Sequence, residues 1–138
     1  MTLVIDASTI VKWFAPEVLA DEARRVLRME SVFVAPDFMP AEVMSALLRK
    51  YRRGDIDSER LLAARDSIRD AFELVASEPV LDDAVRLALR YQRSAYDSSY
   101  VVIARGRGCQ FVTADRRLYD ALAPAYPETM LWVGDVAE

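Results

Sequence analysis

Histidine is absent from this 138-residue sequence. Its absence removes the Ser-His-Asp and Cys-His mechanisms, together with the usual zinc sites. Cysteine occurs once, at Cys109, which excludes an internal disulfide and fits a reducing compartment such as the cytoplasm. No apolar run approaches the roughly 18–20 residues that a membrane helix needs. The first residues enter a strand without the basic-then-apolar pattern of a secretion signal, so no leader is expected. Lysine is scarce: 16 of the 18 basic residues are arginine, leaving Lys12 and Lys50. The net charge of −4 argues against coating nucleic acid by bulk charge. Hydrolytic chemistry on such a chain has to run on carboxylates, most naturally with a metal ion.

What is there reads as one soluble domain, 1–138, with 53% hydrophobic and 29% charged residues and no linker, repeat or low-complexity stretch. Leu3, Val4 and Ile5 form a short β-branched run closed by Asp6, the pattern of a central strand in a parallel sheet. An amphipathic helix is expected over 17–29, a second strand over 32–35 and a helix over 37–53 ending at Gly54. Asp57 suits an N-cap for a helix whose stripe is Leu61, Ala64, Ile68 and Phe72. A third strand over 74–77 competes with a continued helix. Helices are then expected from Pro79, with Leu81, Ala84, Val85, Ala88 and Tyr91 inward, and from Asp97. Strands over 109–113 and 130–133 flank a short helix opened by Asp115. Strands alternating with helices imply right-handed βαβ units and an α/β fold with both sheet faces covered.

Four acids recur in matching contexts. Asp6 and Asp115 each close an apolar strand, Asp97 opens a helix, and Glu42 lies on a helix face shared with Ser45 and Arg49. Taken singly, each aspartate reads as a helix cap, and Glu42 as a solvated partner of Arg49. Parallel topology, however, brings the carboxyl ends of the strands to one sheet edge. Two full charges 4 Å apart cost about 4 kcal/mol at an effective dielectric of 20, so such a cluster needs retained protons or a cation. Hard oxygen ligands without histidine or thiolate suit Mg²⁺ or Mn²⁺. The combination points to metal-dependent phosphodiester hydrolysis.

Val4-Ile5-Asp6-Ala7-Ser8, Pro40-Ala41-Glu42-Val43, Tyr96-Asp97 and Val112-Thr113-Ala114-Asp115, in that order, resemble the PIN-domain nucleases and, within them, the VapC-type toxins of toxin–antitoxin pairs. The likeness implies a three-layer α/β/α fold with a five-stranded parallel sheet ordered 3-2-1-4-5. It implies a ribonuclease in which Asp6, Glu42, Asp97 and Asp115 bind Mg²⁺ or Mn²⁺ and an activated water cuts RNA. Ser8 and Thr113 would orient carboxylates or water, and Arg49 would guide an RNA phosphate. It also implies a cognate antitoxin, toxin dimers and a hetero-oligomeric complex. Ser45 replaces the asparagine often found three residues after the helical glutamate, and Arg93-Ser94 replaces a common Leu-Thr pair. A non-catalytic RNA- or protein-binding module is the alternative, and the intact acid set counts against it. A phosphatase with Asp6 as nucleophile would need an aspartate where Ser8 stands.

Overall fold

Leu3, Val4 and Ile5 are at most 1% exposed, because the strand they form is covered on both faces and paired on both edges. In the computed structural model, which describes residues 1–137, this strand is β1 (Thr2–Ile5); the last residue of the expected 1–138 span lies outside the described residues. The chain continues through α1 (Ala7–Phe14), α2 (Ala20–Leu27), β2 (Val32–Pro36), α3 (Met39–Arg52), α4 (Ser58–Ala71) and β3 (Phe72–Val75). A 3₁₀ turn (Glu78–Val80) then leads into α5 (Leu81–Tyr91), α6 (Ala95–Arg107), β4 (Gln110–Thr113), α7 (Arg116–Leu122), β5 (Met130–Trp132) and a second 3₁₀ turn (Val133–Asp135).

The sheet runs β3-β2-β1-β4-β5 with every neighbouring pair parallel, the expected order. Val4 pairs with Val34 on one side and Phe111 on the other. Chain order reverses direction at β1 and β4, which opens a crevice at their carboxyl ends. Helices α1, α3 and α4 pack on one another, α5 packs on α6, and α6 crosses β1, β2 and β4.

Several boundaries differ from the sequence expectation, each for a local reason. The second helix begins at Ala20 rather than at 17, because Leu19 turns left-handed (φ 69°) and Glu17 is drawn to Lys12 and Lys50. The third strand forms, but two residues early: Phe72, expected on the stripe of α4, is the first residue of β3 and pairs with Phe33. Its ring stacks on Trp13, which outweighs the helical spacing. In α5 only Ala84 and Leu87 are buried; Leu81 and Val85, expected inward, face outward. The helix expected from Asp97 starts at Ala95, capped by Ser94, whose Oγ accepts the Asp97 amide. Gly54 follows α3 at φ +83°, a conformation that glycine adopts at low cost.

Candidate active site

The β1 ladder continues one residue past the strand, where the Asp6 amide donates to the Val112 carbonyl at 2.9 Å. The Asp6 carbonyl then accepts from the amides of Thr9 (3.0 Å) and Ile10 (3.2 Å) to start α1. Its carboxylate makes no cap bond. Instead Oδ2 accepts from Ser8 Oγ at 2.8 Å and from Thr113 Oγ1 at 2.7 Å. Both hydroxyls are themselves oriented: Ser8 Oγ accepts the Ala114 amide (3.1 Å) and Thr113 Oγ1 the Asp115 amide (3.0 Å). Two amides beyond β4 are thus relayed through two hydroxyls onto one oxygen of a buried acid. The second Asp6 oxygen receives no hydrogen bond among the described residues.

Glu42 stands in the first turn of α3, and its Oε1 accepts from the Tyr100 hydroxyl at 2.7 Å. Tyr100 is fully buried on α6, stacked on Phe111 and edge-on to Phe38. Asp97 occupies the first turn of the same helix, where its amide donates to Ser94 Oγ at 3.0 Å and its carboxyl feels the Ser94 hydroxyl and the charge of Arg93. Asp115 caps α7, with Oδ1 accepting the Leu118 amide at 3.2 Å. The capping reading therefore holds for Asp115 and fails for the side chains of Asp6 and Asp97.

The electrostatics show that these acids share one space. Burial pushes the Asp6 carboxyl up to about 7 against the pull of Thr113 and Ser8, with the charges of Asp97 and Glu42 adding to the rise. Glu42 is raised by burial and then by Asp97, with Tyr100 opposing. Asp97 is raised by burial and then by Asp115, with Ser94 and Arg93 opposing. Asp97 is the common member of these couplings, felt by Asp6 and Glu42 and itself pushed by Asp115. Among the described residues, no three acidic, histidine or cysteine side chains form a ready-made metal cage. Like charges favour separation, and each of the four acids has a local donor of its own. The donor set itself, oxygen-only and anionic, is that of a hard divalent cation.

Arg49 has no ion-pair partner among the described residues and lines two hollows beside these acids. One, of about 410 Å³, is bounded by Phe38, Ala41, Glu42, Ser45 and Tyr96. The other, of about 340 Å³, reaches Ser8 and Ala114. Sequence reasoning passed over Tyr100; its only signal was its place three residues after Asp97, on the same helix face. The Ser94 cap was legible in its spacing from Asp97, a serine three residues before an acid.

A PIN-domain family model matches residues 3–122. Ribonuclease VapC3 of Pyrobaculum aerophilum is 31% identical over 121 residues, 86% of this chain and 92% of that protein. VapC ribonuclease Mb0985 of Mycobacterium bovis is 32% identical over 133 residues, 94% of this chain and 98% of that protein. A toxin–antitoxin complex from Klebsiella pneumoniae superposes with a TM-score of 0.69 at 14% identity, over 94% of this chain and 95% of that one, a likeness of fold alone.

Proposed function

This chain belongs to the PIN-domain family, and from that premise we propose that it is a Mg²⁺- or Mn²⁺-dependent endoribonuclease toxin, silenced by a cognate antitoxin. The observation that carries this reading is the coupling of Asp6, Glu42 and Asp115 through Asp97 at the carboxyl edge of β1 and β4. Relatives named as ribonucleases support RNA as the substrate, and a neighbour titled a toxin–antitoxin complex supports the partner. The reading extends to 1–138 as one nuclease domain, to action in the cytoplasm, and to a homodimer within a hetero-oligomer with the antitoxin. No helix among the described residues is long and apolar enough to cross a membrane.

In this reading Asp6, Glu42, Asp97 and Asp115 hold the cation. Bound there, a divalent ion lowers the pKa of a water and offsets charge on the phosphodiester in the transition state. The chain's own contribution is orientation. Ser8 and Thr113 fix one Asp6 oxygen and leave the other without a protein donor among the described residues; Tyr100 fixes one oxygen of Glu42. Asp97, beside Ser94 and Arg93 at the start of α6, is the acid whose charge bears on Asp6 and Glu42. Arg49 takes an RNA phosphate. A phosphatase using Asp6 as nucleophile is disfavoured, since Ser8 stands where its general acid would be and one Asp6 oxygen already accepts hydrogen bonds from two hydroxyls.

Incubating the purified chain with total cellular RNA tests the reading. Fragments should appear with Mn²⁺ and be absent with EDTA or with Asp97→Asn. Arg49→Ala should weaken RNA binding and flatten its salt dependence while leaving Mn²⁺ affinity unchanged. RNA that stays intact with the folded wild type and Mn²⁺ would overturn it.

A further inference from the structure

Both lysines of this chain converge on one carboxylate. Lys12 lies in the last turn of α1 and Lys50 in the last turn of α3, and these helices pack together. Lys12 Nζ donates to Glu17 Oε2 at 3.2 Å, and Lys50 Nζ pairs with Glu17 Oε1. The three side chains are only 14%, 12% and 25% exposed, so the cluster is largely withdrawn from water.

Its charges do not balance. The hollow they line also takes in Arg49 and Arg53; with Arg53 paired to Asp55 at 3.4 Å, three cations stand against Glu17. Arg49 and Arg53 are exposed, so this surplus positive charge stays within reach of solvent and of an incoming anion rather than being spent inside the triad. The position of the hollow gives the surplus a use. Its other wall is Ser8 and Ala114, which bond each other directly beside Asp6. A cationic hollow of about 340 Å³ therefore opens onto the anionic site in a chain whose net charge is −4. A polyanion whose reacting group sits at the acids needs a neighbouring positive seat for its next charge.

We propose that this hollow binds a backbone phosphate of RNA flanking the one to be cleaved, with Lys12, Lys50 and Arg49 as its donors. Glu17 is the internal anion that holds the two ammoniums in place and competes with the incoming phosphate. The inference rests on the RNA-substrate reading above. It differs from a purely structural triad in the sign of one substitution: removing a lysine takes charge from the seat, whereas Glu17→Gln adds to it.

The test uses the full chain in EDTA and a 5′-fluorescein-labelled single-stranded RNA of ten nucleotides, read by anisotropy from 50 to 200 mM salt. Lys12→Met and Lys50→Met should each weaken binding at 50 mM by roughly threefold or more, and each should shrink the loss of affinity across the salt range by about threefold, the share of one phosphate contact. Glu17→Gln should tighten binding by a similar factor. Melting curves establish that each variant is folded; if a lysine variant is not, Glu17→Gln decides alone. Wild-type affinity in all folded variants, or weaker binding in Glu17→Gln, would overturn the phosphate seat. The same RNA with wild type and Mn²⁺ separates the two readings. Cleavage with unchanged affinities rejects the seat and leaves the nuclease standing. Opposite-signed affinities without cleavage leave an RNA-binding hollow and reject the nuclease.

Discussion

Asp6 and Glu17 are both carboxylates withdrawn from water, yet their protons are held in opposite senses. Burial raises both. At Glu17 the hydrogen bonds and charges of Lys50 and Lys12 override it, and the carboxyl ends below its usual range. At Asp6 the donors among the described residues are the hydroxyls of Thr113 and Ser8, and the charges that bear on it are those of Asp97 and Glu42, so the carboxyl rises to about 7. The contrast teaches that neutral donors orient a buried acid but do not replace a counter-ion. One cluster carries its own cations with some to spare; the other has a demand for positive charge.

The largest effect that could break this comparison is in pH. The folded chain keeps the Asp6 proton to about pH 7, whereas the unfolded chain releases it near 3.8. Its contribution to stability is therefore full below about pH 4 and is lost as pH rises toward 7, on the order of a few kcal/mol. Raised Glu42 and Asp97 act in the same direction. Glu17, being lowered, acts oppositely: its contribution is present above an unfolded value of 4.5 and is lost as pH falls below it. In metal-free thermal melts, wild type should be less stable at pH 8 than at pH 5, and Asp6→Asn should flatten that slope while Glu17→Gln does not. An unchanged slope in Asp6→Asn would mean that Asp6 is not the buried acid responsible.

Adding Mn²⁺ sharpens the same contrast. At a hundredfold excess over Kd it should stabilise the folded chain by about 2.7 kcal/mol, or roughly 10 °C in Tm. Asp97→Asn should lose most of that shift and Lys50→Met should keep it; coincident melts of wild type with and without Mn²⁺ would remove the metal from the acidic cluster.

A smaller effect is expected where a neutral donor orients an acid. Tyr100→Phe removes the 2.7 Å bond to Glu42 and should lower stability by about 1 kcal/mol, with Mn²⁺ affinity, read by calorimetry, falling several-fold. Unchanged affinity would make Tyr100 part of the core only. Smallest is the exposed pair between Arg107 and Glu73 at 2.6 Å. Arg107→Ala should change stability by less than about 1 kcal/mol and leave RNA cleavage as it was.

Much of this arrangement was legible in the residues. Leu3-Val4-Ile5 followed by Asp6, and Phe111-Val112-Thr113 followed two residues later by Asp115, mark buried strands that stop at an acid, and both lie where that pattern puts them. Asp57 caps α4 as its position suggests, accepting the Arg60 amide at 2.8 Å. Less was legible where distant parts of the chain compete for a residue. Phe72 continues the spacing of α4 but leaves it to stack beside Trp13 and Phe33. Glu17 looks like the first turn of a helix but is held in a loop by lysines from α1 and α3. Asp97 looks like a cap, yet Ser94 takes that role, its Oγ accepting the Asp97 amide.

By itself, then, the sequence determined the order of strands and helices, the absence of histidine chemistry and the four acids at strand ends and helix starts. These follow from local hydrophobic period and residue type, which need no partner to express. Only the tertiary structure decided which hydroxyls hold Asp6, that Tyr100 reaches Glu42 across 58 positions, and that both lysines meet at Glu17 beside that site. Such pairings depend on how α1, α3 and α6 pack over the crossing point of a parallel sheet, and residues far apart in sequence carry no periodic signal of one another.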